Sequence, residues 1–307
     1  MEMKEFAIKV QKTVQEILGA KYEVKLQEVQ KNNGVFLTGL VILRERRNVS
    51  PTIYLQAFWE AYEEGVTFAE VIYRILQIYN EDTPKRNVDM AFFREFEKVK
   101  DRICYRLIHA KKNENLLEKI PHIPFLDLAI CFYYAYEGKA LGNGSILIYN
   151  THMEMWKTNL SELLYYAQNN TPRLFPWECN SMELVIRNLM EERGDSKSLR
   201  ILEEEEEKQL FDDLPMYIVS NRQKLHGAAC MIYPAVFAKL AENFQSNFYI
   251  IPSSIHEVIL LTDNGTESPS RLQEMIREVN KTQVEPEEVL SDSLYYFDRK
   301  ENRIKIV

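Results

Sequence analysis

Residues 215–263, PMYIVSNRQKLHGAACMIYPAVFAKLAENFQSNFYIIPSSIHEVILLTD, hold the densest alternation of strand-like and helix-like apolar runs in the chain. Residues 216–219 and 248–251 are short, partly β-branched apolar runs bounded by turn residues, the composition of buried strands. Residues 228–244 place apolar side chains at helical spacing. Pro252-Ser253-Ser254 reads as a turn, because proline presets φ and serine hydroxyls bond nearby backbone. Residues 256–261 leave that turn as a further strand, expected antiparallel to the one before. Strand, loop, helix, strand, turn, strand is not a regular βαβ order, so the fold expected is α+β with mainly antiparallel sheet and packed helices.

Polar residues of this stretch gather at the expected strand ends: Asn221, Arg222, His226, Ser253, Ser254 and His256. If strands 216–219 and 248–251 run parallel, the loop after the first and the turn after the second emerge at one sheet edge. These six residues then line one polar depression, with Arg222 offering bidentate geometry to a small anion or to a carboxylate of a protein partner. This favours a non-catalytic binding or regulatory protein. The alternative is a small hydrolase with Ser254 and His256 as nucleophile and base, although no G-x-S-x-G elbow frames either serine.

Other chemistries lack their residues. His256-Glu257 begins like the zinc-binding H-E-x-x-H helix, but Leu260 stands where the second histidine belongs and the period is that of a strand. His226 and Cys230 are four apart without a third ligand. Neither a Walker sequence nor G-x-G-x-x-G occurs, so no metal and no cofactor is expected.

Further out, Phe6, Val10, Val14 and Ile17 recur at helical spacing before Gly19, predicting an amphipathic first helix. Residues 22–26 alternate in polarity, and 35–43 return as the second strand of a hairpin, with Gly39 as a candidate bulge. Two helices follow Ser50-Pro51, the second capped by Thr67 with Glu70. Polar residues 80–87 lead to a third helix over 88–98, and the division expected is a helix-rich part over 1–100 and an α+β domain over 101–307. In the second part, 125–136 reads as a central strand, Asn159 and Asn180 as helix caps, and Leu272, Met275, Ile276 and Val279 as the buried face of a helix begun by Ser268-Pro269.

Of 307 residues, 46% are hydrophobic and 11% aromatic, ample for a core. Cys104, Cys131, Cys179 and Cys230 are widely spaced and form no C-x-x-C pair, as in reduced cytoplasmic proteins. The N-terminus is charged and amphipathic rather than a signal peptide, and no apolar run has the length of a membrane span. Net charge is −8, and residues 191–213 alone hold 10 acids against 4 bases. Nucleic acid is not an expected partner, since only Arg44-Glu45-Arg46-Arg47 hints at a basic stripe. The run 203–207, five glutamates, reads as a solvated face or as a docking surface for a basic partner.

The segments GAACMIYPAVFAKLAE, FYIIPSSIHEVILL and VNKTQVEPEEVLSDSLYYFDRKENRI resemble an uncharacterised bacterial family, domain of unknown function 5688. The likeness extends more loosely through PHIPFLDLAICFYYAYEG and SPTIYLQAFWEAYEEG. It implies a cytoplasmic bacterial protein and carries no catalytic residue across.

Overall fold

The computed structural model describes residues 1–84, 87, 89–138, 142–193, 216–252 and 254–307. The glutamate run 203–207 and Ser253 lie outside the described residues. Packing divides the chain into two compact units, Met1–Glu95 with Ala135–Ile146, and Phe96–Tyr134 with Leu147–Val307.

In the first unit, α1 (Met3–Leu18) buries Phe6, Ala7, Val10 and Val14 on one face, while Ile17, expected there, is exposed. Strands β1 (Tyr22–Gln30) and β2 (Phe36–Arg44) pair without interruption from Tyr22↔Arg44 to Gln30↔Phe36. There is therefore no bulge at Gly39. The glycine answers a different need: β3 (Thr52–Tyr54) comes so close that a Cβ at 39 would sit 2.5 Å from Thr52 Cγ2. Helices α2 (Gln56–Glu63) and α3 (Phe68–Asp82) cover this small antiparallel sheet, and Val71, Ile72, Ile75 and Tyr79 join its core. Thr67 Oγ1 accepts the Glu70 amide at 3.3 Å, but the Glu70 carboxylate turns to Arg74 instead of completing a capping box. The helix expected over 88–98 is replaced by a 3-10 turn, Ala91–Arg94, and a single α turn, α4 (Phe96–Val99), which opens the second unit.

There, β4 (Ile103–His109) leads through α5 (Glu114–Leu117) to β5 (His122–Phe125) and β6 (Leu128–Gly138), in the order β4-β6-β5. From Ala135 on, β6 belongs to the first unit, as does β7 (Gly142–Leu147), paired with it, up to Ile146. The central strand expected over 125–136 is β6, which begins only at Leu128, since Phe125 ends β5 and Leu126-Asp127 turn between the two. Leu126 adopts φ 54, as two-residue hairpin turns require, and Phe125 pairs with Leu128. Asp127 in that turn accepts hydrogen bonds from the hydroxyls of Ser291 (2.6 Å), Ser293 (3.0 Å) and Tyr295.

Next come α6 (Asn150–Trp156) and α7 (Leu160–Leu174), the latter capped by Asn159 Oδ1 on the Glu162 amide. Asn180, expected as a cap, lies in β8 (Trp177–Ser181). Ser181 Oγ accepts the Leu184 amide at the start of α8 (Met182–Arg193) instead.

The larger sheet continues with β9 (Met216–Asn221). The helix expected over 228–244 is split into a 3-10 run, Gly227–Ile232, and α9 (Val236–Phe244). Pro234 is the cause: it cannot donate to a helix and it holds Tyr233 extended, at φ −67, ψ 138. Then follow β10 (Phe248–Ile251), β11 (Val258–Thr262), α10 (Pro269–Thr282), β12 (Tyr295–Asp298) and β13 (Arg303–Ile306). Sheet order is β13-β12-β10-β11-β9-β8, each neighbouring pair antiparallel, so the architecture is α+β. Helix α10 packs Leu272 and Ile276 against Tyr249, Ile251 and Leu261 of one face, whereas Met275 and Val279 are exposed, the helix being rotated from its expected face. Phe237 of α9 meets Phe248 and Phe297. Among the described residues no helix is long and apolar enough to cross a membrane.

Candidate functional site

Strand β11 lies between β9 and β10 and is antiparallel to both, so β9 and β10 run parallel to each other. The chain therefore leaves both strands at the same sheet end, where β11 begins. Loop 222–227 and turn 252–257 emerge together.

Two short contacts lock these loops. Ser220 Oγ donates to the His256 carbonyl at 2.7 Å, and Gly227 fits only because it lacks a Cβ, which would stand 2.1 Å from Ser220 Oγ and 2.3 Å from the His256 carbonyl oxygen. Asn221 is buried inside its own loop, its Oδ1 accepting the amides of Gln223 and Leu225 and its Nδ2 donating to the Leu225 carbonyl. That is an Asx turn, and it shapes the loop that carries His226.

His226 takes φ 53 and only 8% of its surface is exposed. Its ring lies nearly parallel to that of His256, with centroids 5.9 Å apart, and meets the Tyr133 ring at 5.4 Å. The His226 amide donates to His256 Nδ1 at 3.3 Å, while the Lys224 carbonyl stands 3.0 Å from the same nitrogen. That nitrogen donates to Lys224 in one tautomer and accepts from His226 in the other. His256 Nε2 lies 3.7 Å from Glu288 Oε1.

Beneath His226 stands Arg106 of β4, its Nη1 3.5 Å from His226 Nε2. Arg106 is opposite Cys131 of β6 in the antiparallel register, so the two share a sheet face, and it keeps part of its surface at solvent. Its Nε is shielded and has no hydrogen-bond partner among the described residues, and the same holds for His226 Nδ1. No carboxylate pairs with Arg106 among the described residues; the groups that act on it are Cys131, Tyr133 and Tyr149. Burial pushes the Cys131 thiol up to about 12 and raises the Tyr133 phenol, so both stay neutral and leave the guanidinium charge uncompensated. Burial first, then Arg106 and His256, holds His226 well below the ordinary histidine value, which makes it a neutral imidazole.

Of the residues singled out from sequence, His226, Ser254, His256 and Asn221 thus meet at one sheet end. Arg222 is exposed, its amide donates to the Pro176 carbonyl, and its guanidinium makes no ion pair among the described residues. Ser254 Oγ accepts the His256 amide at 3.0 Å, and no imidazole bonds to it among the described residues. No group of three His, Cys, Asp or Glu that could hold a metal ion occurs among them either. Sequence reasoning missed Arg106, Ser220 and Glu288. Arg106 did carry a signal, being the one cation between Cys104 and Ile108 in an otherwise apolar strand face.

The depressed pKa of His226 fixes the sign of one pH effect. As pH falls below the ordinary value of 6.5, the unfolded chain takes up a proton at 226 and the folded chain does not. Stability contributed by the neutral, buried ring is full above that pH and falls by up to roughly 1.4 kcal/mol per pH unit below it. His226→Asn, which keeps a residue tolerant of positive φ and removes the titration, is expected to flatten this slope by about one proton. Urea unfolding between pH 7.5 and 5.5 measures it, and equal slopes in both proteins count against a neutral His226.

A family model described as "Family of unknown function (DUF5688)" matches residues 3–299. No curated protein and no solved structure matches the chain. Because the match spans nearly its whole length, the chain belongs to the family of unknown function DUF5688.

Proposed function

We propose that this is a non-catalytic, cytoplasmic binding protein whose site, centred on Arg106, His226 and His256, takes a small oxyanion or the carboxylate of a protein partner. The observation that carries the reading is the guanidinium of Arg106, partly buried, with an Nε unpartnered and no carboxylate beside it among the described residues. An unpaired buried charge is costly, and an incoming oxyanion relieves that cost by charge-assisted hydrogen bonds. Four free cysteines, three of them buried, suit a reducing compartment. The overall charge of −8 disfavours nucleic acid. The hydrolase alternative gains no support from Ser254, whose hydroxyl serves a turn.

The test uses inorganic phosphate and acetate at constant ionic strength. Either anion should stabilise the wild-type protein by about 1.4 kcal/mol at tenfold excess over its Kd. Arg106→Met should lose that response and, without anion, unfold at a higher temperature, because an apolar isostere replaces an uncompensated, partly buried charge. Equal anion responses in the two proteins would overturn the proposal.

A further inference from the structure

A cleft of about 610 Å³ opens between the last turns of α10, the segment 283–292 that follows it, and Lys112. That size is in the range of small-molecule sites. Its lining is mixed in charge: Lys112, Arg277 and Lys281 against Glu285 and Asp292. Asp292 is already engaged, by Lys112 Nζ at 3.5 Å and by Asn280 Nδ2 at 2.8 Å. Arg277 and Lys281, one helical turn apart and therefore on one face, make no ion pair among the described residues, and neither does Glu285.

Cations at a helix C-terminus are ordinary by themselves, since they complement the helix dipole. Asn280, between them, is not ordinary. It is 7% exposed and its Nδ2 donates to the Ser291 carbonyl at 2.9 Å as well as to Asp292, so the orientation of the amide is fixed. Its Oδ1 is buried and accepts from nothing among the described residues. A buried amide oxygen without a donor costs about 1–3 kcal/mol unless a ligand or water supplies one. The cleft thus offers two cations for an anion and Glu285 for a cationic donor, with the orphan acceptor of Asn280 shielded in the wall beside them.

We propose that this cleft binds a small zwitterion of the α-amino-acid class, its carboxylate held by Arg277 and Lys281 and its ammonium directed to Glu285 beside Asn280. The site is separate from Arg106 and does not depend on the function proposed above. It differs in kind as well, because it asks for both signs of charge in one ligand.

The experiment measures thermal stability of the full chain with each of the twenty L-amino acids, with their N-acetyl derivatives, and with their carboxamides. At least one amino acid should raise the midpoint, and blocking either its ammonium or its carboxylate should abolish the shift. Arg277→Gln and Lys281→Gln, both exposed and compatible with the fold, should weaken binding about tenfold or more, while Arg106→Met should leave it unchanged. Asn280→Asp tests the acceptor separately, and a variant that fails to fold does not matter while the two glutamine variants fold. If no free amino acid shifts the midpoint, or if the acetylated form or the glutamine variants bind as well as the parent pair, the proposal fails.

Discussion

Gly227→Ala is expected to destabilise the protein by about 3 kcal/mol or more, at the upper end of overpacking changes. Most glycine-to-alanine changes act through conformational freedom and are worth under about 1 kcal/mol. Here the new methyl has nowhere to go. It would stand 2.3 Å from the His256 carbonyl oxygen and 2.9 Å from the Asn221 amide nitrogen, both backbone atoms, and 2.1 Å from the hydroxyl that ties the two loops together. Rotating Ser220 away relieves only one of the three contacts and leaves the His256 carbonyl without its donor. The loops must separate, and the imidazole pair moves with them. Gly144→Ala is the matched control, since a Cβ there meets nothing within 4 Å, and it should change stability by less than about 0.5 kcal/mol. Denaturant unfolding of the two variants decides it. A cost at 227 no larger than at 144 would mean that the loops are not held this close.

The same contact shows what the sequence made legible and what it did not. Strand ends are marked by residue type, because turns need Pro, Ser, Asn or Gly for reasons local to a few dihedral angles. Asn221, His226, Ser254 and His256 could therefore be placed at one edge once β9 and β10 were supposed parallel. The insertion of β11 between them was not needed for that, since two antiparallel steps restore the direction. Partners from afar were a different matter. Arg106 is 120 residues from His226, and a two-residue period tells which face a side chain takes, never which segment will lie over it. Arg222 had the right chemistry and stands on the loop, yet its side chain is exposed, and the cation beside His226 comes from another sheet. Pro234 stands inside the helical periodicity of 228–244, and a residue that cannot donate outranks that periodicity and splits the helix.

Asp127→Ala is expected to cost about 3–5 kcal/mol and to loosen both candidate sites together. The Asp127 carboxylate accepts hydroxyl hydrogens from Ser291, Ser293 and Tyr295, and Ser291 and Tyr295 are both 0% exposed. Hydrogen bonds to a charged acceptor are worth about 1.5–3 kcal/mol each, and hydroxyls left without a partner in a dry interior keep their desolvation cost. Burial, and then the Asp127 charge, pushes the Tyr295 phenol up, so it remains a donor at neutral pH. Asp127→Asn preserves one carbonyl oxygen and shape, and should cost less, about 1–2 kcal/mol. Tyr295→Phe, made alone and with Asp127→Ala, closes a cycle whose coupling energy isolates their bond. The effect should reach further than stability, because the segment fixed by this carboxylate carries Glu288 beside His256, Val289 bridged to Ser254, and the Ser291 carbonyl that orients Asn280. Phosphate and amino-acid responses measured on Asp127→Ala below its own unfolding temperature should both weaken. A loss of stability under about 1 kcal/mol, with both responses intact, would show that the three hydroxyls are held in place without the carboxylate.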